Sequence, residues 1–278
     1  TNTFTGGVTL SAGTLNIEAA QALGTSAGTF TIADGTTINA TSGAIDMSAT
    51  DNPIAINGNF TFTGSNNLDL GDGAITMGAS RSITTSANTL TMGGVLTAAT
   101  STLTSAGAGG LAFDAQAVTL SGLVISAGTL TSTSGVLSLA GDFDNDATFT
   151  HNNGNVTFNG TTDQNLGTSA GTQTFYDLTI NNTGADGSDD ITLADPVIVA
   201  NSLTLTDGHL YTDATNVITF NDGATTSSGT DGSHIVGQVS KIGDDAFVFP
   251  TGNGTYFARI GISAPDNAAD QFTAKYTG

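Results

Sequence analysis

The chain has 278 residues, 24 Asp and Glu against 4 Lys and Arg, a formal charge of −20, 37 Gly, no Cys and no Trp. Such a charge repels phosphate backbones and argues against nucleic-acid binding, and the lack of Cys removes disulfides and thiolate chemistry and suits an exported protein held together by other means. No apolar run approaches the roughly 18 residues of a membrane-spanning helix.

The acids are Glu18 and 23 Asp, and helix formers are scarce, with two Lys and three Met. Thr, Val, Ile, Phe, Gly, Asn and Asp dominate, a vocabulary of strands and turns. The 38% hydrophobic fraction argues against disorder. Without an initiator Met or signal peptide, Thr1 reads as a processed end or the start of a cut segment.

From the N-terminus the chain repeats. Leu15, Phe30, Ile45, Phe60, Ile75 and Leu90 recur at a constant 15-residue interval, each followed two positions on by Ile17, Ile32, Met47, Phe62, Met77 and Met92. Polar residues lie between them, giving an in–out–in alternation. Two positions earlier stand Gly13, Gly28, Gly43, Gly58, Gly73 and Asn88, types that tolerate positive φ, so a corner is expected before each strand. A second apolar column, Val8, Leu23, Ile38, Leu68 and Ile83, holds Pro53 in its fourth cycle. One cycle cannot bury its apolar face alone, so cycles must stack. The expected fold is all-β, a parallel β-solenoid with 15-residue coils over residues 1–134. A meander of hairpins is the rival.

After Met92 the register slips, and from about Gly135 the motif changes. Phrases such as Gly141-Asp142-Phe143, Asn155-Val156-Thr157-Phe158 and Ser202-Leu203-Thr204-Leu205 suggest wider, irregular coils over 135–231. Residues 1–135 carry a charge of −6 and 136–278 one of −14. Residues 232–278 hold more aromatic strands and Lys241, Arg259 and Lys275, and read as a C-terminal cap, a β-sandwich-like module or a docking surface.

The cadence Gly-Gly-Val-Thr-Leu-Ser-Ala-Gly-Thr-Leu-Asn-Ile at 6–17 resembles the strand repeats of bacterial autotransporter passengers and filamentous-haemagglutinin-like adhesins. Phrases at 147–154 and 175–182 resemble giant secreted bacterial surface proteins, and 232–262, with Phe247-Val248-Phe249-Pro250-Thr251-Gly252, resembles the module that closes such arrays. The resemblance implies a parallel β-helix, an extracellular or cell-surface address and a structural or adhesive role. It carries over no catalytic residue, and the family's longer stalks imply that this chain is one segment.

For an enzyme on such a scaffold the residues offer little. A lyase acting on acidic sugars needs a cation and a base, but Arg81, Lys241, Arg259 and Lys275 are scattered; no pair of acids, Glu18 included, falls in a distinctive glycosidase motif. No catalytic or cofactor-binding residue is assigned, and the chain is read as a non-enzyme. His151, His209 and His234 lack metal-ligand spacing and read as solvated turn residues.

Calcium is the better metal candidate, at Asp142, Asp144 and Asp146 and at Asp186, Asp189 and Asp190, although neither set matches an EF-hand or a calcium β-roll. Solvated turn-forming Asp is the plainer reading. An outward column of Asn16, Thr31, Asp46, Thr61, Thr76 and Thr91 is a broken Thr ladder, a weak match to ice. Sequons stand at Asn39, Asn59, Asn155, Asn159, Asn181 and Asn253, as expected by chance in an Asn- and Thr-rich chain. The expected role is a subunit or segment of a bacterial surface fibre, sheath or matrix filament. Its expected partner is itself, head to tail through the N-terminal strands. An adhesin stalk that binds glycans or cell surfaces is the alternative.

Overall fold

The computed structural model describes residues 2–168 and 171–278. The fold is all-β, a parallel β-solenoid of about 11 turns with no helix among the described residues. Two compact units are distinguished: residues 2–137 with Asp146–Asn152, and Ser138–Asn145 with Asn153–Gly278.

In the first unit every described strand pair is parallel, which excludes the hairpin meander. Each turn has three sides. On the first, Val8, Phe30, Ile54, Ile75, Leu96 and Val118 stack directly above one another. On the second, Thr36, Phe60, Ile83, Ser105 and Ile125 form one ladder and Leu15, Ile38 and Phe62 another. On the third, Ile45, Leu68, Leu90, Leu111, Leu130 and Phe149 do the same.

These registers correct the expected coil. Val8 lies opposite Phe30, and Phe30 opposite Ile54, so the chain travels well beyond one 15-residue period before it returns to the same side. The 15-residue period is two sides of a three-sided turn. Leu15 lies on the second side, Phe30 on the first, Ile45 on the third, Phe60 on the second, Ile75 on the first and Leu90 on the third. All three sides carry the same in–out–in pattern, so a two-side step reads as a repeat although consecutive members never stack; members three periods apart, such as Phe30 and Ile75, share a ladder two turns apart. The outward column is likewise dispersed. On the first side the outward neighbours are Thr9, Thr31, Ala55, Thr76, Thr97 and Thr119.

The corner column splits into two solutions. Gly13, Gly43 and Asn88 take positive φ as expected. Gly73 is needed for a different reason, close approach: a Cβ there would stand 2.2 Å from the Asn52 carbonyl oxygen of the preceding turn. Asn52 is buried, and its side-chain NH₂ donates to the carbonyls of Thr25 (2.7 Å) and Gly28 (2.9 Å), fastening one corner to the next.

The second unit repeats the plan. Val156, Leu178 and Leu203 stack on one side, Gln164, Ile191, Leu210, Ile235 and Thr251 on another, and Gln173, Val197, Ile218 and Val239 on the third. Its shortest turn runs from Ile235 to Thr251 and its longest from Gln164 to Ile191. The extremes of the first unit, Leu111 to Leu130 and Phe30 to Ile54, fall inside that range. The later turns are therefore more variable than the earlier ones rather than consistently wider. Polar residues enter the interior in satisfied groups: Asn145 donates to Gln173 (2.7 Å), and Gln173 to Asp195 (3.0 Å).

The change expected at 232 falls later. Ile235–Val236, Val239–Ile242 and Thr251–Gly252 continue the parallel stacks. Among the described strands, the antiparallel pairs are Phe247–Phe249 with Ile260–Ile262, and Val239–Ile242 with Gln271–Ala274.

A deletion distinguishes the two periods. Removal of residues 54–74 excises one turn and places Ile75 where Ile54 stood, so the protein should keep a cooperative thermal transition. Removal of residues 60–74, one 15-residue repeat, puts a first-side strand and its corner on the second side. That variant should lose several kcal/mol of stability or fail to fold, by circular dichroism and thermal melts.

Candidate functional site

The expected calcium ligands do not share one environment. Strand Phe143–Asn145 turns Phe143 and Asn145 inward. Asp142 is exposed and its carboxylate accepts the Asn165 N–H (2.8 Å), while Asp144 is half-buried and Asp146 exposed. In the other set Asp186 is exposed, Asp189 is buried and accepts the Gly187 N–H (3.1 Å), and Asp190 is half-buried. Among the described residues, the carboxylate trio whose oxygens converge within 4.8 Å of one another is Asp222, Asp244 and Asp245, all exposed.

A cation already stands beside one member of that trio, Asp245. Lys241 occupies the inward ladder position after Phe175, Val199 and Phe220 and is fully buried. Its ammonium donates to the Asn221 carbonyl (2.7 Å), stands 3.6 Å from Asp245 Oδ2 and lies 5.6 Å from the centre of the Phe247 ring. Asp245 also accepts the Gly223 N–H (2.8 Å).

The turns bring together two histidines that are far apart in sequence. Asp163, Asp190, His209 and His234 each stand one position before a strand residue on the same side, in successive turns. The rings of His209 and His234 meet edge to face with centres 4.4 Å apart. His234 Nδ1 donates to the Thr230 carbonyl (2.9 Å) and Nε2 accepts the Gly254 N–H (3.0 Å), which locks a neutral ring. Burial, chiefly, holds its pKa below the usual value. His209 is 8% exposed, and its Nε2 donates to the Asp231 carbonyl (3.0 Å). Its Nδ1 lies 3.5 Å from Asp190 Oδ1, an oxygen that is buried and makes no hydrogen bond. Burial pushes the Asp190 carboxyl up; His209 opposes that shift, and Asp189 and Asp163 add to it.

A cavity of about 380 Å³ opens here, lined by Asp186, Asp190, His209, Tyr211, Asp231 and Thr255 among others. The solvated-turn reading therefore fails for His209 and His234; His151 belongs to the other unit. The missed signal is that each of these two His directly precedes a strand of the same stack. That regularity is visible only once Gln164, Ile191, Leu210 and Ile235 are known to be successive rungs.

No protein-family model matches the chain, and no curated protein and no solved structure matches it. Among the described residues, no helix is long and apolar enough to cross a membrane.

Stacking also creates charge ladders. Asp46 and Asp69 are register neighbours on the third side of the first unit. Hydrogen bonds from Ser48 hold the Asp46 pKa down, whereas burial, then the nearby carboxylates, push Asp69 up against a bond from Gly71. A raised folded-state pKa means that Asp69 favours folding below about pH 3.8 and that this contribution is lost as pH rises through the folded value. Asp69→Asn keeps the acceptor for Gly71 and should stabilise the protein at pH 7 by about 0.2–1 kcal/mol, with the gain vanishing in acid. Lys241→Met should cost about 1–3 kcal/mol, because it leaves the Asn221 carbonyl with the Ala224 N–H (3.0 Å) as its remaining donor and removes the cation beside Asp245. Denaturant melts across pH check both.

Proposed function

We propose that the chain is a structural segment of an extracellular bacterial surface fibre, sheath or matrix filament that associates with its own kind end to end. The observation that carries this reading is the ladder register. Each turn presents the next with the same three sides and mostly apolar inward residues in matching register, so one turn is a template for another. A stack of this kind transmits load through backbone hydrogen bonds.

The first-turn strands supply the joining edge in this reading. Val8 N donates to Thr29 O (3.0 Å) and Leu10 O accepts from Ala33 N (3.0 Å), so Val8 and Leu10 bond toward the next turn and Thr9 directs its N–H to the opposite edge. Gly13 and Ile17 likewise accept from Thr37 and Thr41, which leaves Asn16 facing outward along that edge. A strand of a second copy can pair there, and a head-to-tail contact of this type propagates without closing. In the second unit, the strand Gln271–Ala274 pairs antiparallel with Val239–Ile242 and in this reading acts as a partial cap. The resemblance to adhesin repeats, the four Lys and Arg and the absence of Cys suit an exposed, durable material. The dense negative charge limits lateral clumping unless divalent cations such as calcium bridge neighbours.

Electron microscopy of the purified chain, with and without millimolar calcium, tests this reading. Filaments with an axial repeat near ~4.8 Å are expected. The double variant Thr9→Pro/Asn16→Pro should stop growth while shifting stability by less than about 1 kcal/mol, because Pro removes only edge donors. Dispersed single particles of the unmodified chain under all conditions would overturn the polymer.

A further inference from the structure

The strongest unexplained feature is the facing pair Asp190 and His209. A carbonyl can only accept, so the Asp231 carbonyl fixes the hydrogen of His209 on Nε2. In the neutral ring Nδ1 is then a lone pair. It lies 3.5 Å from a second acceptor, the buried Asp190 Oδ1, a separation longer than a charge-assisted hydrogen bond. Two acceptors held face to face repel unless a proton or a metal ion lies between them. The ring is 8% exposed, its neighbour His234 is locked neutral by its own two bonds, and the fixed cation Lys241 is bound to Asn221 and Asp245.

We propose that Asp190 Oδ1 and His209 Nδ1 are two ligands of a divalent transition-metal ion of the zinc or copper type, held in the wall of the 380 Å³ cavity. The geometry suits such an ion: two bonds of about 2.1 Å at a tetrahedral angle separate their donor atoms by roughly 3.4 Å. The donor set suits it too, since an imidazole nitrogen with a carboxylate selects zinc, copper or nickel over calcium. The Asp231 carbonyl on Nε2 is the outer bond that orients a metal-binding imidazole. Water from the cavity completes the coordination, and the lining carboxylates of Asp186 and Asp231 add negative charge.

The test is zinc binding to the full chain by calorimetry, with Cu²⁺ electron paramagnetic resonance as a second readout. One ion should bind per chain, and the copper spectrum should show coupling to a single imidazole nitrogen. His209→Gln and Asp190→Asn should each weaken zinc binding at least tenfold. Asp222→Asn, in the exposed acidic trio, should leave it unchanged. The Asp190→Asn variant keeps the shape of the side chain, and a thermal melt checks that each variant is folded. The proposal is overturned if zinc binds no more tightly to the unmodified chain than to Asp190→Asn, if copper shows no nitrogen coupling, or if Asp222→Asn removes binding. It is equally overturned if nuclear magnetic resonance finds His209 doubly protonated at pH 7 in the presence of zinc, for then a proton alone separates the pair.

Discussion

The structure depends on the hydrogen bonding of each strand to the turn before it and the turn after it. A parallel pair cannot be closed by a tight hairpin; the chain must travel round a whole circuit before it returns to the same side. That circuit sets the length of a turn, and in the first unit it stays between the short step from Leu111 to Leu130 and the long one from Phe30 to Ile54. Inward residues must then match at each return, which is why Val8, Phe30, Ile54, Ile75, Leu96 and Val118 are all apolar although their spacing is uneven. Corners absorb the variation, by positive φ at Gly13 and Gly43 and by close backbone contact at Gly73.

A stacked architecture also multiplies whatever is placed at a given position. Apolar residues become ladders and strengthen the core. Acids become like-charge columns, as at Asp46 and Asp69, and raise its energy. The interior accepts polar groups where their bonds are completed, as in Asn145–Gln173–Asp195 and in Lys241 with Asn221. Asp190 and His209 break that rule, because their facing atoms have no donor between them. A facing pair of acceptors of this kind points to chemistry rather than to packing.

The class of fold was legible from the in–out–in triplets, because a half-buried strand has a period of two whatever it pairs with. The length of a turn was not. The 15-residue columns record the distance between equivalent points on alternate sides, and nothing in one sequence says that three sides make a circuit. The same limit hid the histidine pair. The separation of His209 from His234 has no meaning for a local motif, yet it is one full turn, the same step that takes Leu210 to Ile235. The Asp-x-Asp-x-Asp run was visible, but strand alternation places Asp142, Asp144 and Asp146 outward beside inward Phe143 and Asn145. The acids that converge, Asp222, Asp244 and Asp245, come from two corners one turn apart and have no linear signature.

Residues one three-sided turn apart are stacked neighbours, while those one 15-residue period apart are not. Because the chain has no Cys, engineered cysteine pairs report this directly. Thr31 and Ala55 face outward as register partners, so their Cα atoms lie within the roughly 4.4–6.8 Å that a disulfide spans. The pair Thr31→Cys/Ala55→Cys should cross-link rapidly within one chain under mild oxidation. The pair Thr31→Cys/Asp46→Cys joins the first side to the third across one 15-residue period and should not. Cross-linking of the second pair without the first would contradict the three-sided turn.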